Sequence, residues 1–132
     1  MTGKIDYALW VPRMLTLLRI VVALLFIEHG TQKLFGFPPP AHPASALLPL
    51  AWAQGAIEFI GGALMLIGLF TRPVAFILAG DMAVAYFMSH APRGFFPMLN
   101  GGDAAILYCF VFLYLAAAGG GPWSADALRR RA

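Results

Sequence analysis

Eight polar side chains that stand in or beside apolar stretches carry hydrogen-bonding and acid–base chemistry. His29 and Lys33 are four residues apart and would share one face of a helix, and Gln54 and Glu58 have the same spacing. Carboxylate and imidazole groups can take up or release a proton, and both can hold a ligand by hydrogen bonds. The candidate residues for a ligand site or a polar network are Glu28, His29, Lys33, Gln54, Glu58, His90, Asn100 and Asp103.

The composition indicates that these side chains belong to a membrane protein. Of 132 residues, 61% are hydrophobic and only 11% are charged, and the mean hydropathy is +0.78. Soluble domains carry roughly a quarter charged residues. The length predicts a single domain over 1–132 and excludes a separate soluble catalytic domain beside several spans. The net charge of +3 includes three consecutive arginines near the end of the chain, so no nucleic-acid surface is predicted.

Four apolar runs predict an all-α integral membrane four-helix bundle. A helix crosses a bilayer with about 20 largely apolar residues. The predicted spans are about 14–34, 50–70, 74–90 and 102–118, separated by segments rich in proline and glycine. A cleaved signal peptide is the alternative for the first run, but no small-x-small cleavage site follows it.

The distribution of lysine and arginine predicts that both termini are cytoplasmic. In that orientation the opposite side holds only Lys33 and Arg93. Cytoplasmic segments are usually the ones enriched in basic residues. The polar candidates then lie in the outer half of the membrane, away from the cytoplasm. The basic residues on the cytoplasmic side would be Lys4, Arg13, Arg19, Arg72, Arg129, Arg130 and Arg131.

Glu58 is the central candidate, because an apolar run follows it and no basic residue is near it in sequence. A charge at membrane depth costs several kcal/mol unless it is paired or hydrated. We therefore expect its partner on another helix, with Lys33 or His29 as the natural choice. Asp81, near the middle of the third span, is expected to pair with Arg19 or to mark a proton path.

Three interpretations of the polar residues remain open at this point. They could be interhelical hydrogen bonds and ion pairs that fix the helix register. They could bind a ligand or take part in redox chemistry, or they could conduct protons or solutes. His29, Glu58, His90 and Asp103 have the chemistry of metal ligands, but they would have to converge from separate spans, so no metal site is predicted.

The motifs, taken in order, resemble those of the DoxX family of small four-helix membrane proteins. The similarity covers nearly the whole chain. Many members of that family have Glu at the position of Asp103. Asp keeps the negative charge but has a shorter side chain. The resemblance implies a bacterial inner-membrane protein loosely linked to sulfur or quinone oxidoreduction and to oxidative-stress complexes. The matching segments are Leu18-Arg19, Lys33–Gly36, Glu58 with Gly61-Gly62, Leu69–Pro73, Met82–Tyr86, His90 and Asn100–Asp103.

We therefore expect a multi-pass protein that acts as an accessory or a subunit of membrane redox chemistry. A quinone-like or other small ligand would bind in a polar cavity of the outer half, and whether the chain is itself an enzyme stays open. The expected partners are the lipid bilayer, membrane or periplasmic redox proteins and further copies of the chain. The alternatives are a non-enzymatic membrane scaffold or assembly partner, and a small proton-linked transporter.

Overall fold

The computed structural model describes residues 6–41 and 49–132, which are helical wherever they are regular. No strand occurs in these two ranges. A π-helical turn (Tyr86–His90) and a 3-10 turn (Ala91–Arg93) prolong the third helix. Lys4, which contributes to the predicted orientation, lies outside the described residues. The helices are α1 (Tyr7–Phe35), α2 (Pro49–Ile67), α3 (Thr71–Ala85), α4 (Pro97–Asn100), α5 (Asp103–Ala118) and α6 (Ala125–Arg129).

Within residues 6–41 and 49–132, three helical segments are long and apolar enough to cross a membrane, which confirms the all-α membrane class. They are α1, α2, and α3 together with its extension to Arg93. Helix α5 is equally apolar but has only 16 residues. At 1.5 Å per residue it is about 24 Å long, which is shorter than a typical hydrocarbon core of about 30 Å.

Two helices begin earlier than the hydropathy predicts, because side-chain caps set their first turns. Helix α1 begins at Tyr7 rather than near residue 14, and the Asp6 carboxylate accepts a hydrogen bond from the Ala8 amide at 3.1 Å. Helix α3 begins at Thr71 rather than near residue 74. There the Asp126 carboxylate accepts hydrogen bonds from the amides of Phe70 and Thr71, both at 2.8 Å. Such caps satisfy amides that have no partner within the helix.

The helices pack in an order that brings the polar candidates towards one end. Helix α1 packs along α2, α3 packs along α5, and α2 contacts α3. The side chains of Phe26, Leu78 and Phe112 are fully buried in the shared apolar core. A Cβ atom on Gly30 would lie 2.6 Å from the Phe59 amide nitrogen, so the backbones of α1 and α2 are in close contact there. Small residues commonly permit such an approach between membrane helices.

The Arg19 side chain links α2 to the segment after α5, at the end of the molecule opposite to the polar candidates. Its predicted pairing with Asp81 is wrong. Its side chain is 1% exposed. Nε donates to the Gly120 carbonyl at 2.9 Å, and Nη2 donates to the Trp123 carbonyl at 2.6 Å. Nη1 donates to the carbonyls of the last turn of α2, at Met65 and Leu66. Backbone carbonyls at the end of a helix lack intrahelical donors, so they replace the carboxylate that we expected as the partner of this arginine.

Candidate functional site

A polar cavity of about 340 Å³ lies among α1, α2, α5 and the end of α3. The buried side chain of Phe26 forms part of its wall. Four stretches of the chain that are distant in sequence therefore contribute to one space. Its polar lining consists of His29, Lys33, Gln54, Glu58, Ser89, His90 and Tyr108.

An ion pair between α1 and α2 forms part of the cavity wall. Lys33 Nζ donates to Glu58 Oε1 at 2.5 Å, and the side chains are 26% and 1% exposed, respectively. Lys33 is thus one of the two partners expected for Glu58. Glu58 Oε2 is buried and accepts no hydrogen bond from any of the described residues. A buried acceptor without a donor is costly, so this oxygen is a candidate acceptor for a ligand that carries a donor group.

Asp81 belongs to the same polar network and is not paired with Arg19, the partner that the sequence predicts. The side chain of Gln54 forms a hydrogen bond with Asp81, and the charges of Glu58 and Lys33 both act on the Asp81 carboxylate. Asp81 Oδ2 is buried without a hydrogen-bonding partner in residues 6–41 and 49–132. Gln54 therefore bonds to a second carboxylate, on α3, and lines the same cavity as the ion pair.

A second cavity, of about 380 Å³, adjoins the first and is mainly apolar. It lies between α2 and α3, and Leu50, Ile57 and Val84 are among the side chains that line it. The two cavities share Gln54 and Ser89 in their walls. A polar space and an apolar space thus meet beside α2 and the end of α3.

In both histidines of the cavity, Nδ1 contacts a backbone carbonyl and Nε2 is the ring nitrogen that can make further interactions. His29 Nδ1 lies 2.8 Å from the Leu25 carbonyl, and His90 Nδ1 lies 3.2 Å from the Asn100 carbonyl. A carbonyl can only accept, so Nδ1 carries the hydrogen in both rings. Nε2 is then an acceptor in the neutral imidazole and a donor in the imidazolium. The His29 ring also packs against Tyr108, with the two ring centroids 5.8 Å apart.

Asn100 shapes the loop that holds His90 and does not itself line the polar cavity. It is 2% exposed. Its Nδ2 donates to the Gly94 carbonyl at 2.9 Å and to the Tyr86 hydroxyl at 3.3 Å. Its Oδ1 accepts from the Gly102 amide at 2.8 Å. The arrangement makes Asn100 a positioning residue for the imidazole of His90.

Glu28 and Asp103, the other two candidates, lie outside the cavity. Both side chains are exposed, and neither contributes to the cavity wall. Asp103 is the first residue of α5, where a negative charge interacts favourably with the helix dipole. Glu28 precedes His29 by one residue. It therefore lies on a different face of α1 from His29 and Lys33, which line the cavity.

The structure adds two lining residues that sequence reasoning did not single out. Ser89 follows Asp81 by eight residues, which is two helical steps of four and therefore a spacing signal for a shared face. Tyr108 brings the one hydroxyl of the α5 wall to the cavity. Within the described part of the chain, no three His, Cys, Asp or Glu side chains are grouped closely enough to hold a metal ion.

Comparison with known proteins identifies the family. An uncharacterized protein of Haemophilus influenzae is 45% identical over 120 residues, which cover 87% of this chain and 90% of the relative. An uncharacterized membrane protein of Mycobacterium tuberculosis is 28% identical over 132 residues, covering 87% of this chain and 80% of the relative. No solved structure gives a significant match. The DoxX family model matches residues 14–91, which is more than half of the sequence. The chain therefore belongs to the DoxX family of membrane proteins.

Proposed function

We propose that this chain is a multi-pass inner-membrane protein, with cytoplasmic termini, that binds a quinone-like ligand in the polar cavity. In this proposal it serves as an accessory or a subunit of membrane redox chemistry, together with membrane or periplasmic redox proteins. The observation that carries the proposal is the partly buried Lys33–Glu58 ion pair in the wall of a cavity that adjoins an apolar one.

The chemistry of the cavity wall supports a ligand with carbonyl groups. A quinone needs a hydrogen-bond donor at its carbonyls and a source of protons on reduction. Lys33 has three N–H donors, of which Glu58 takes one. His29 and His90 supply Nε2 atoms that can donate when the rings are protonated, and the Tyr108 hydroxyl can also donate.

The sizes and characters of the two cavities support an amphiphilic ligand. Small-molecule sites are commonly about 300–1,000 Å³ and are mostly apolar with a few directed polar groups. The polar cavity of about 340 Å³ lies at the lower limit of that range. The adjoining cavity of about 380 Å³ between α2 and α3 would take the apolar tail of the same molecule. A head group and a tail would then be held on either side of Gln54.

Binding of a soluble short-chain quinone analogue to the purified full chain tests the proposal. The Glu58→Gln variant is expected to bind at least about tenfold more weakly, because the change removes the carboxylate that holds the Lys33 ammonium in the cavity wall, and a hydrogen bond from such a charged donor contributes about 1.5–3 kcal/mol. Glu28→Gln is the matched control, since Glu28 is exposed and lies outside the cavity. The affinity is read from tryptophan fluorescence or calorimetric titration in detergent micelles.

Equal affinity of the wild type and the Glu58→Gln variant would remove the ligand site from this cavity. If partner proteins still co-purify with the Glu58→Gln and His90→Ala variants, a scaffold role replaces the ligand-binding role. Proton passage is the second candidate function, because Glu58 and Asp81 each have a buried oxygen without a donor among the described residues. Flux in proteoliposomes that depends on a pH gradient and is lost in Asp81→Asn would favour it.

The proposed orientation is tested by labelling single cysteines in intact cells. Cys109 is first replaced by Ser so that the only thiol is the introduced one. We expect a membrane-impermeant maleimide to label Phe95→Cys in intact cells, because Phe95 is 87% exposed in the loop before α4. Ala132→Cys is expected to react only after the cells are lysed. The reverse pattern would place the polar cavity on the cytoplasmic side.

A further inference from the structure

A third cavity, of about 390 Å³, lies at the opposite end of the helices from the polar cavity. It is formed where α3 begins, α5 ends and α6 returns to pack beside them. Arg72, Arg129 and Arg130 line it, together with Asp126. The wall therefore carries three guanidinium groups and one carboxylate, which gives it a net positive charge.

The single carboxylate of this wall is already engaged by the backbone of α3. Its two oxygens accept from the amides of Phe70 and Thr71, both at 2.8 Å. Partial burial acts to raise the pKa of Asp126, but the hydrogen bonds from Thr71 and Phe70 outweigh it and hold the pKa below its ordinary value. Asp126 therefore stays ionised as the cap of α3, and the arginines outnumber it.

Two of the three guanidinium groups are held in place by their surroundings. Arg72 Nη1 donates to the carbonyls of Ala116 and Ala117, near the end of α5. The guanidinium carbon of Arg129 lies 4.9 Å from the centroid of the Phe70 ring. These interactions leave Nε and Nη2 of Arg72 and the N–H groups of Arg129 as donors for another partner. A planar guanidinium matches the geometry of phosphate oxygens with two parallel hydrogen bonds.

We propose that this basic cavity binds the phosphate headgroup of an anionic phospholipid. Basic pockets at the ends of membrane helices are suited to anionic lipid headgroups. The apolar side chains beside it support a lipid as the source of the phosphate: Trp123 is 56% exposed, Leu128 is 67% exposed and Phe70 is 50% exposed. Aromatic side chains of this kind favour the headgroup level of a bilayer. The proposal does not depend on the ligand of the polar cavity.

Titration of the detergent-solubilised full chain with phosphatidylglycerol and, separately, with phosphatidylcholine tests the proposal. Bound lipid is counted by native mass spectrometry. We expect phosphatidylglycerol to bind more tightly, and the Arg129→Gln/Arg130→Gln variant to lose about twenty-fivefold in its affinity for phosphatidylglycerol. That value assumes about fivefold for each arginine near an anionic headgroup. Arg130→Gln alone, which removes no contact with Phe70, is expected to lose about fivefold.

Arg131→Gln is the matched control, because Arg131 is exposed in the same segment but does not line the cavity. It is expected to change the affinity by less than about twofold. Equal binding of the two lipids, or an equal loss in Arg131→Gln and Arg130→Gln, would overturn the proposal in favour of a diffuse basic surface. Displacement of the lipid by an equal concentration of inorganic phosphate would instead assign the cavity to a free anion.

Discussion

Replacement of Arg19 by Met is expected to lower the free energy of unfolding by about 4 kcal/mol, because it leaves several buried carbonyl groups without donors. Arg19 donates to the carbonyls of four residues in α2 and in the segment after α5. Each buried polar group that loses its partner costs about 1–3 kcal/mol. The change is measured by denaturant unfolding of the purified protein in mixed micelles, followed by circular dichroism.

Two further variants separate the hydrogen bonds of Arg19 from its charge and volume. Arg19→Lys keeps the charge but has fewer donors and no planar fork, so an intermediate loss is expected. Arg13→Met is the control on the same helix, because the contact of the Arg13 guanidinium among the described residues is its stacking over Trp10, 5.5 Å from the ring centroid. Its expected loss is below about 1 kcal/mol. Similar losses for Arg19→Met and Arg13→Met would contradict a structural role of the carbonyl cluster.

Replacement of Lys33 by Met is expected to lower the free energy of unfolding by about 3 kcal/mol. The substitution leaves the Glu58 carboxylate buried without its counter-charge, which in buried pairs costs about 3–5 kcal/mol. The lower limit applies because the Lys33 side chain is 26% exposed and water reaches it. The same unfolding measurement in mixed micelles reports the change.

The double variant Lys33→Met/Glu58→Gln shows whether the charge left behind causes that loss. It is expected to recover most of the stability, because neither remaining side chain is charged. The exposed Glu28→Gln change, on the same helix as Lys33, should stay within about 0.5 kcal/mol of the wild type. If the double variant is as unstable as Lys33→Met, the unpaired charge on Glu58 is not the cause of the loss.

The membrane class and the approximate helices could be predicted because they depend on properties that add up along the sequence. An apolar run of sufficient length needs no knowledge of its neighbours to indicate a span. The ion-pair partner of Glu58 could be narrowed to Lys33 or His29 because few cationic side chains share its depth. These predictions need only the position of each residue along its helix axis. That position follows directly from the number of residues, because each one adds a fixed rise.

The network around Asp81 and Arg19 could not be predicted, because it depends on helix rotation and on helix ends. Opposite charge alone predicts a pair between Asp81 and Arg19. In the structure Asp81, on α3, instead forms a hydrogen bond with Gln54, on α2. The Arg19 cation donates hydrogen bonds to backbone carbonyls, among them those at the end of α2. Residue types alone do not indicate where such carbonyls will lie. The cap of α3 likewise comes from Asp126, which is 55 positions away from Thr71.

The carbonyl cluster around Arg19 has a consequence for the biogenesis of the protein. Two of the carbonyls that its side chain contacts, those of Gly120 and Trp123, lie 101 and 104 positions further along the chain. The chain must therefore be synthesised as far as Trp123 before this guanidinium can contact all of its partners. The sequence of helix α1 is thus complete long before Arg19 can make all of its hydrogen bonds, and the carbonyl cluster can close only when α2 and the segment after α5 are both in place.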